Sequence, residues 1–466
     1  MTQNTEARIV RDQPLPADTP HVPVVIVGAG ACGLTAAIRL RDAGIDCVLL
    51  ERDAVPSGST ALSSGFIPAA GTRLQKSLGI EDSQALFAED VIAKTHGQAA
   101  PHLVQAYTRA VPQAVDALEA HGIAFEVLEG FLYPGHHAPR MHAVPERTGA
   151  ALMAALERTA RAAGADILTQ ALVRELWLDA AGRVAGVGYV RPDGTLEHIA
   201  CDQLLLACNG FGGNRDMVAQ LLPAMRDAEF GGHTGNDGSA IAWGKALGAR
   251  LADLGGYQGH GSWVIPQGAL MTWAVIMEGG VQINADGRRF HDETQGYSEA
   301  AVYVLNQPGR IAWNVFDDPL LTLARTFPDF VEAEKAGALR TAAGEQELAE
   351  LIGCDPAVLH ETLAAIDAGR PDEFGRRFKR PLQAPYHAVK VTGALFHTQG
   401  GLDIDDHCRV LRQDGTALPN LLAAGGAARG VSGNEVSGYL SGNGLLSAVG
   451  GGWVAAGTVI AQRQAA

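Results

Sequence analysis

HVPVVIVGAGACGLTAAIRLRDAGIDCVLLER, residues 21–52, changes its hydrophobic period twice. Val24 to Val27 is an unbroken apolar run, as expected of a strand covered on both faces. Gly28-x-Gly30-x-x-Gly33 follows at once, and Thr35 to Arg41 then takes helical spacing, with Ala36, Ala37 and Leu40 available for close packing. Cys47 to Leu50 forms a second apolar strand, closed by Glu51. In this order each glycine has a task. Gly28 makes the turn, Gly30 lets the backbone approach a pyrophosphate, and Gly33 lets helix pack on strand. The helix N-terminus then faces the phosphates, and Glu51, 18 residues beyond Gly33, can accept from ribose hydroxyls. The stretch predicts a dinucleotide site on a strand–helix–strand unit.

The following loop narrows the cofactor. GSTALSSGFIPAAGT, residues 58–72, is rich in glycine and small hydroxylated residues, which can lie along a diphosphate and under a flat ring. Leu62, Phe66, Ile67 and Pro68 are out of place in a flexible linker. LLLACNGFGGN (204–214) and NLLAAGGAARG (420–430) each read as a short buried strand ending in a glycine turn, and GNDGSAIAWGKALGA (235–249) puts Asp237 at a helix start. A nucleotide site fed by both ends of a chain points to an FAD fold with an inserted domain.

Composition removes several alternatives. The chain has 466 residues and a formal charge of -15, which argues against nucleic-acid binding. Six cysteines lie scattered at 32, 47, 201, 208, 354 and 408, without C-x-x-C or C-x-x-C-H spacing. No metal site and no c-type haem attachment is expected, and reduced thiols fit a cytoplasmic location. MTQNTEARIVRDQPLPADTP, residues 1–20, lacks the apolar run of a secretory signal and reads as a loose leader. Val436 to Gln462 is long and uncharged enough to span a membrane. Its interleaved serines, Asn443 and glycines, with no flanking basic cluster, favour a buried helix after a glycine loop, without membrane insertion.

Taken together, these motifs resemble the fumarate reductase and succinate dehydrogenase flavoprotein family, in order and over about residues 22–461. STALSSGFIPAAGT is similar to that family's flavin loop, GGVQINADGRRFHDE (279–293) to the entry of its inserted domain, and FHTQGGLDID (396–405) and SGYLSGNGLLSAVGGG (437–452) to the return. The resemblance implies an α/β, Rossmann-like, discontinuous FAD domain over 21–258 and 395–466. An α+β capping domain would span 259–394, with substrate at the seam over the flavin ring. The implied cofactor contacts are Gly28, Gly30, Ala31, Gly33, Glu51 and Arg52 in the first unit of structure, then Ser59, Thr60, Ser64 and Gly65 in the loop. Val173, Ala207, Asn209, Gly210, Asp237 and Gly426 follow, and Ser441, Asn443, Leu445 and Leu446 would meet the pyrimidine edge. Members that bind flavin covalently carry a histidine where this chain has Ser59, so FAD should be noncovalent.

The departures indicate the chemistry. Carboxylate-reducing members use one arginine four residues after the glutamate of R-F-x-x-E and another opening R-L-G-G-N-A. The matching positions here are Tyr297 and Tyr439. His260 in YQGHGSW and His397 in FHTQGG resemble the carboxylate-binding histidine pair. An arginine offers a bidentate fork to carboxylate, whereas a phenol offers one hydroxyl suited to a carbonyl oxygen. The pattern resembles the ketosteroid 1-dehydrogenase branch. By that resemblance Tyr439 and an amide near Asn443 hold the enolate oxygen, Tyr297 removes the α-proton, and Tyr133 assists. Arg288 and Arg289 are expected to be structural or solvated, while Arg140 and His142 are possible pocket residues.

The chain is short for that branch and keeps both histidines. A compact cyclic ketone is therefore the expected substrate, with the steroid nucleus as one candidate and an external electron acceptor (oxygen, quinone or dye). The alternative is a fumarate-reductase-like enzyme acting on an α,β-unsaturated carboxylate. A flavoprotein subunit of a membrane complex would need the covalent-flavin histidine, and a non-catalytic FAD-binding protein would not need the filled pocket positions.

Overall fold

The computed structural model describes residues 7–11, 13–129, 132–366 and 370–465. The chain forms two compact units. The first takes the chain to Leu221, then Gly232–Tyr257, then His397 to the C-terminal end. The second is Leu222–Gly231 with Gln258–Phe396. The excursion Leu222–Gly231 into the second unit carried no sequence signal. Its cause is a strand pairing: Glu229 and Phe230 run parallel to Ala394 and Leu395.

The first unit is built on a mixed sheet of nine strands among the described residues. Its parallel centre is Leu196–Leu206, His21–Val27, Cys47–Leu50 and Asp166–Leu168 in that order. Leu196–Leu206 serves two neighbours. Its first half pairs antiparallel with Val184–Val190, and its last three residues pair parallel with Ala417–Ala423. The return segment is thereby placed beside the nucleotide strand. Val24, Val25 and Ile26 are fully enclosed, as their unbroken apolar run requires. Each such side chain stabilises the fold by about 1.5–3 kcal/mol.

The helix Ala31–Asp42 packs across this sheet. A Cβ on Gly33 would lie 2.1 Å from the Gly28 carbonyl oxygen, so only glycine permits the approach. Gly28 has φ +103°, and a Cβ there would meet the Ala207 oxygen at 2.6 Å. The C-terminal helical segment Asn443–Ala465 contains a π-helical turn at Leu446–Gly450. By length and mean hydropathy (1.5) it could cross a membrane, yet 56% of its most apolar window is buried in the protein. A Cβ on Gly452 would sit 2.3 Å from the Cys32 carbonyl, which explains the glycines: two helices meet backbone to backbone.

The leader differs from expectation. Arg8–Val10 is a strand pairing parallel with Leu172–Leu178, and Arg8 forms an ion pair with Glu175. Residues 1–6 and 12 of that leader lie outside the described residues. The second unit holds a seven-stranded sheet among its described residues, centred on Tyr386–Thr398 and flanked by Tyr257–Val264 and Ala312–Asp317.

Candidate active site

A cleft with about 830 Å³ of empty space, open solvent included, lies in the first unit. The predicted residues Gly28, Gly30, Ala31, Glu51, Arg52, Ser59, Thr60, Val173, Ala207, Asn209, Asp237 and Gly426 all line it. Gly33 and Gly210 instead serve packing, Gly210 against the Thr398 hydroxyl. Gly65 has φ +74° and lies against the backbone of Thr148, so it also packs, beside half-buried Ser64. Leu446 is fully buried and Leu445 partly so, both in the turn before the C-terminal helix.

The cavity has the chemistry of a phosphate and ribose site. Gly30 caps the helix Ala31–Asp42 without any side-chain cap, and its first turn carries no acid, so this end of the helix is suited to an anionic ligand. Thr60 Oγ1 lies 3.4 Å from the Ala31 amide. Glu51 accepts the amides of Ala29 (2.9 Å) and Asp53 (3.0 Å). Burial raises its pKa, and those two amides oppose the rise. Glu51 therefore ties the glycine turn to the second strand as well as lining the cavity. Ser59 Oγ accepts from Asn236 Nδ2 at 2.9 Å and Asn209 Nδ2 at 3.2 Å. With its lone pairs so engaged, its hydroxyl proton is left for an acceptor in the cavity.

Two lining residues, His233 and Trp243, carried no sequence signal, and they stand beside the predicted Arg52 and Asp237. His233 places Nε2 2.9 Å from Asp53, and Arg52 donates to the Gly235 carbonyl at 2.7 Å. These contacts close residues 233–237 over the cavity edge. Asp237 is engaged by Arg174 at 3.2 Å and caps Ser239, so it orders this wall. Trp243 also lines the cavity, with its indole Nε1 buried and unpartnered among the described residues. Asn443 Oδ1 and Ser447 Oγ, at the start of the C-terminal helical segment and outside that cavity's lining, are likewise buried and unpartnered among the described residues. Orphaned donors and acceptors of this kind fit a ligand with hydrogen-bonding ring edges and a diphosphate. FAD is such a ligand.

Each unit also carries a tyrosine–histidine ring pair. In the second unit His260 stacks on Tyr297 at 4.7 Å and 19°, with Trp273 edge-on to His260 at 5.8 Å. His260 Nδ1 accepts the Ser262 amide at 3.1 Å, so the neutral ring carries its proton on Nε2. Burial lowers its pKa to about 3. Tyr297 begins the helix Tyr297–Leu305 just after a turn anchored by Glu293. Glu293 is paired with Arg289 at 2.6 Å and Arg376 at 2.8 Å, while Arg288 is exposed. Arg289 is thus structural, as expected.

In the first unit His397 lies edge-on to Tyr439, 5.6 Å between centroids. Its Nδ1 is 3.0 Å from Gln399 Nε2. Burial lowers the His397 pKa to about 4, opposed by the Thr398 carbonyl. Both histidines are therefore neutral near pH 7. The loop bearing Tyr439 is held from outside by His136, whose Nε2 donates to the Ser441 carbonyl at 2.9 Å. Tyr133, in the same turn as His136, packs with Phe66 on Leu128 and Met141.

Arg140 and His142 are consumed internally. Arg140 is fully buried and pairs with Asp82 (3.0 Å) and Asp90 (2.7 Å), while His142 bridges Thr72 and the Arg140 carbonyl. Among the described residues no cluster suited to a metal ion occurs.

Residues 23–445 match the FAD binding domain family. The NADH:fumarate oxidoreductase of Klebsiella pneumoniae is 28% identical over 89% of this chain, which spans only 45% of that protein. The open conformation of a flavocytochrome c3 fumarate reductase superposes with TM-score 0.81 at 26% identity, covering 96% of this chain and 79% of that one. The 3-ketosteroid-Δ4-(5α)-dehydrogenase of Rhodococcus jostii RHA1 shares the fold, with TM-score 0.78 at 24% identity over 97% of this chain and 99% of that one. With the match spanning the nucleotide strand, the flavin loop and the return segment, this chain belongs to the FAD binding domain family of fumarate reductase and succinate dehydrogenase flavoproteins and is an FAD-dependent oxidoreductase.

Proposed function

We propose that the protein is a dehydrogenase that introduces a C=C bond α,β to the carbonyl of a cyclic ketone. One observation carries the proposal. At both positions where carboxylate reductases of the family are expected to hold an arginine, this chain has a phenol, and each phenol lies against a neutral imidazole. Each pair by itself offers hydrogen-bond donors and no fixed cation, which suits a carbonyl oxygen better than a carboxylate.

In this proposal Tyr439 donates to the carbonyl oxygen, with an amide near Asn443, and so stabilises the enolate charge that develops there. Tyr297 takes the α-proton onto its phenolate oxygen. Bound FAD supplies a two-electron acceptor for the hydride that leaves the β-carbon. The α-proton and the β-hydride together account for the two hydrogens lost. An external acceptor then restores the cofactor. The six cysteines, unpaired in the structure, support a cytoplasmic enzyme.

A second reading is favoured by the names of the relatives and by the retained histidines: reduction of an α,β-unsaturated carboxylate. Product analysis separates the two. The holoenzyme, a dye acceptor and a panel of cyclohexanones and 3-ketosteroids in heavy water should yield the enone, with deuterium exchanged into the α-position of recovered ketone. Absence of enone, with saturated acid formed from fumarate and reduced dye, would establish the second reading instead.

A further inference from the structure

Behind His397 runs a chain of buried hydrogen bonds that nothing in the motifs announced. Gln399 Nε2 is 3.0 Å from His397 Nδ1. Ser432 Oγ donates to Gln399 Oε1 at 2.8 Å, and Asn443 Nδ2 donates to Ser432 Oγ at 3.0 Å. Each step determines the next. The Asn443 amide makes Ser432 an acceptor, so the serine proton goes to the glutamine carbonyl. The Gln399 amide is thereby turned with its NH₂ toward the imidazole. An NH₂ at 3.0 Å requires a bare nitrogen opposite it. The competing contact, Nδ1 to the Thr398 carbonyl, is longer at 3.4 Å.

A second observation concerns the other ring nitrogen. A Cβ on Gly444 would fall 2.6 Å from His397 Nε2, so a glycine at the start of the C-terminal helix keeps space for that edge. Nε2 makes no hydrogen bond among the described residues.

We propose that Gln399, backed by Ser432 and Asn443, is the positioning residue that fixes His397 with its proton on Nε2, so that this ring meets the substrate as a neutral N–H donor. The proposal rests on the ketone reading above and deepens it: residue 399 sets whether the site selects a neutral or an anionic ligand. A carboxylate at 399 could only accept. It would draw a proton to Nδ1 while Nε2 keeps its own, and the ring would become an imidazolium suited to an anion. The titratable group packed against the ring is the Tyr439 phenol, edge-on at 5.6 Å. The influences on the ionisation of His397 are burial, which lowers its pKa, and the Thr398 carbonyl, which raises it.

The experiment uses FAD-loaded enzyme with ¹⁵N-labelled histidine: wild type, Gln399→Glu and Gln399→Leu, with His397→Asn to assign the signal. In wild type the His397 proton should sit on Nε2 and stay untitrated between about pH 5 and 9. Gln399→Glu should titrate inside that window. Succinate, as a dianion probe, should then perturb its flavin spectrum with affinity rising about tenfold or more toward low pH. Gln399→Leu should lose the fixed tautomer and stay neutral. A wild-type proton on Nδ1, or an untitrated Gln399→Glu ring in a variant with normal FAD content, overturns the proposal. These ring-nitrogen readouts need no turnover. A wild type that no ketone reduces would sink the ketone reading and leave the tautomer assignment to stand or fall by its own spectrum.

Discussion

The His260 ring lies parallel to that of Tyr297, 19° between planes and 4.7 Å between centroids, with its Nδ1 already committed to the Ser262 amide. A cation at that position would have to displace an amide hydrogen bond and charge a buried ring. Burial takes the His260 pKa down to about 3, and that of His397 to about 4. Both groups are deprotonated above those values.

Turnover with a ketone should therefore show no histidine limb between about pH 5 and 8. A tyrosine base works as its phenolate, so the rate should climb on the alkaline side. The check is the pH profile of kcat/KM. An inflection between about pH 6 and 7 that vanishes in His397→Asn would show that a histidine does charge.

Tyr439→Phe and Tyr297→Phe should separate two roles. Loss of the Tyr439 hydroxyl removes a donor to developing oxyanion charge, and turnover should fall about 10²- to 10³-fold. Loss of the Tyr297 hydroxyl removes the proton acceptor and should cost roughly 10²- to 10⁴-fold. Both variants should keep FAD. Stopped-flow flavin reduction checks this, and wild-type rates in both would end the two-tyrosine mechanism.

Glu51→Ala should weaken FAD binding. The carboxylate accepts two loop amides and lines the cavity, and the contact proposed for it there is with the ribose hydroxyls. A lost charged hydrogen bond is worth about 1.5–3 kcal/mol, so the Kd should rise on the order of tenfold to a hundredfold. Fluorescence titration of apoenzyme measures it. An unchanged Kd in a folded variant would remove Glu51 from the cofactor site.

Glu293 should make the second unit acid-sensitive. Burial alone would raise its pKa, but Arg376 and Arg289 overcome that and bring it from the ordinary 4.5 down to about 2. A depressed acid contributes stability that is full above 4.5 and lost as pH falls through about 2. Glu293→Gln leaves two buried guanidiniums short of a partner and should cost about 3–5 kcal/mol near neutrality. Urea unfolding at pH 7 and pH 3 checks both statements. A variant as stable as wild type at pH 7 would contradict them.

Much of this was legible locally. In residues 21–52, glycine spacing and hydrophobic period are short-range properties, and the strands and helix formed where that pattern placed them. Leu62, an apolar residue out of place in a flexible linker, is nevertheless 52% exposed, just after the helical turn Gly58–Ala61. The unread features depend on distant partners. His136 meets Ser441 across 305 positions, and Leu222–Gly231 joins the second unit through a pairing with Ala394 and Leu395. Gln399 sits inside a quoted motif, yet its role appears only once Ser432 and Asn443 fold beside it. Arg140 looked available because its partners, Asp82 and Asp90, are remote in sequence.

Anaerobic titration of the oxidised holoenzyme tests the central claim most directly. A cyclic ketone should bleach the flavin absorbance of wild type, leave one equivalent of enone per flavin, and do so slowly or not at all with Tyr297→Phe. Fumarate, added to chemically reduced enzyme, should leave the flavin reduced. Rapid reoxidation by fumarate, with no bleaching by any ketone, would contradict the claim and make the enzyme a carboxylate reductase.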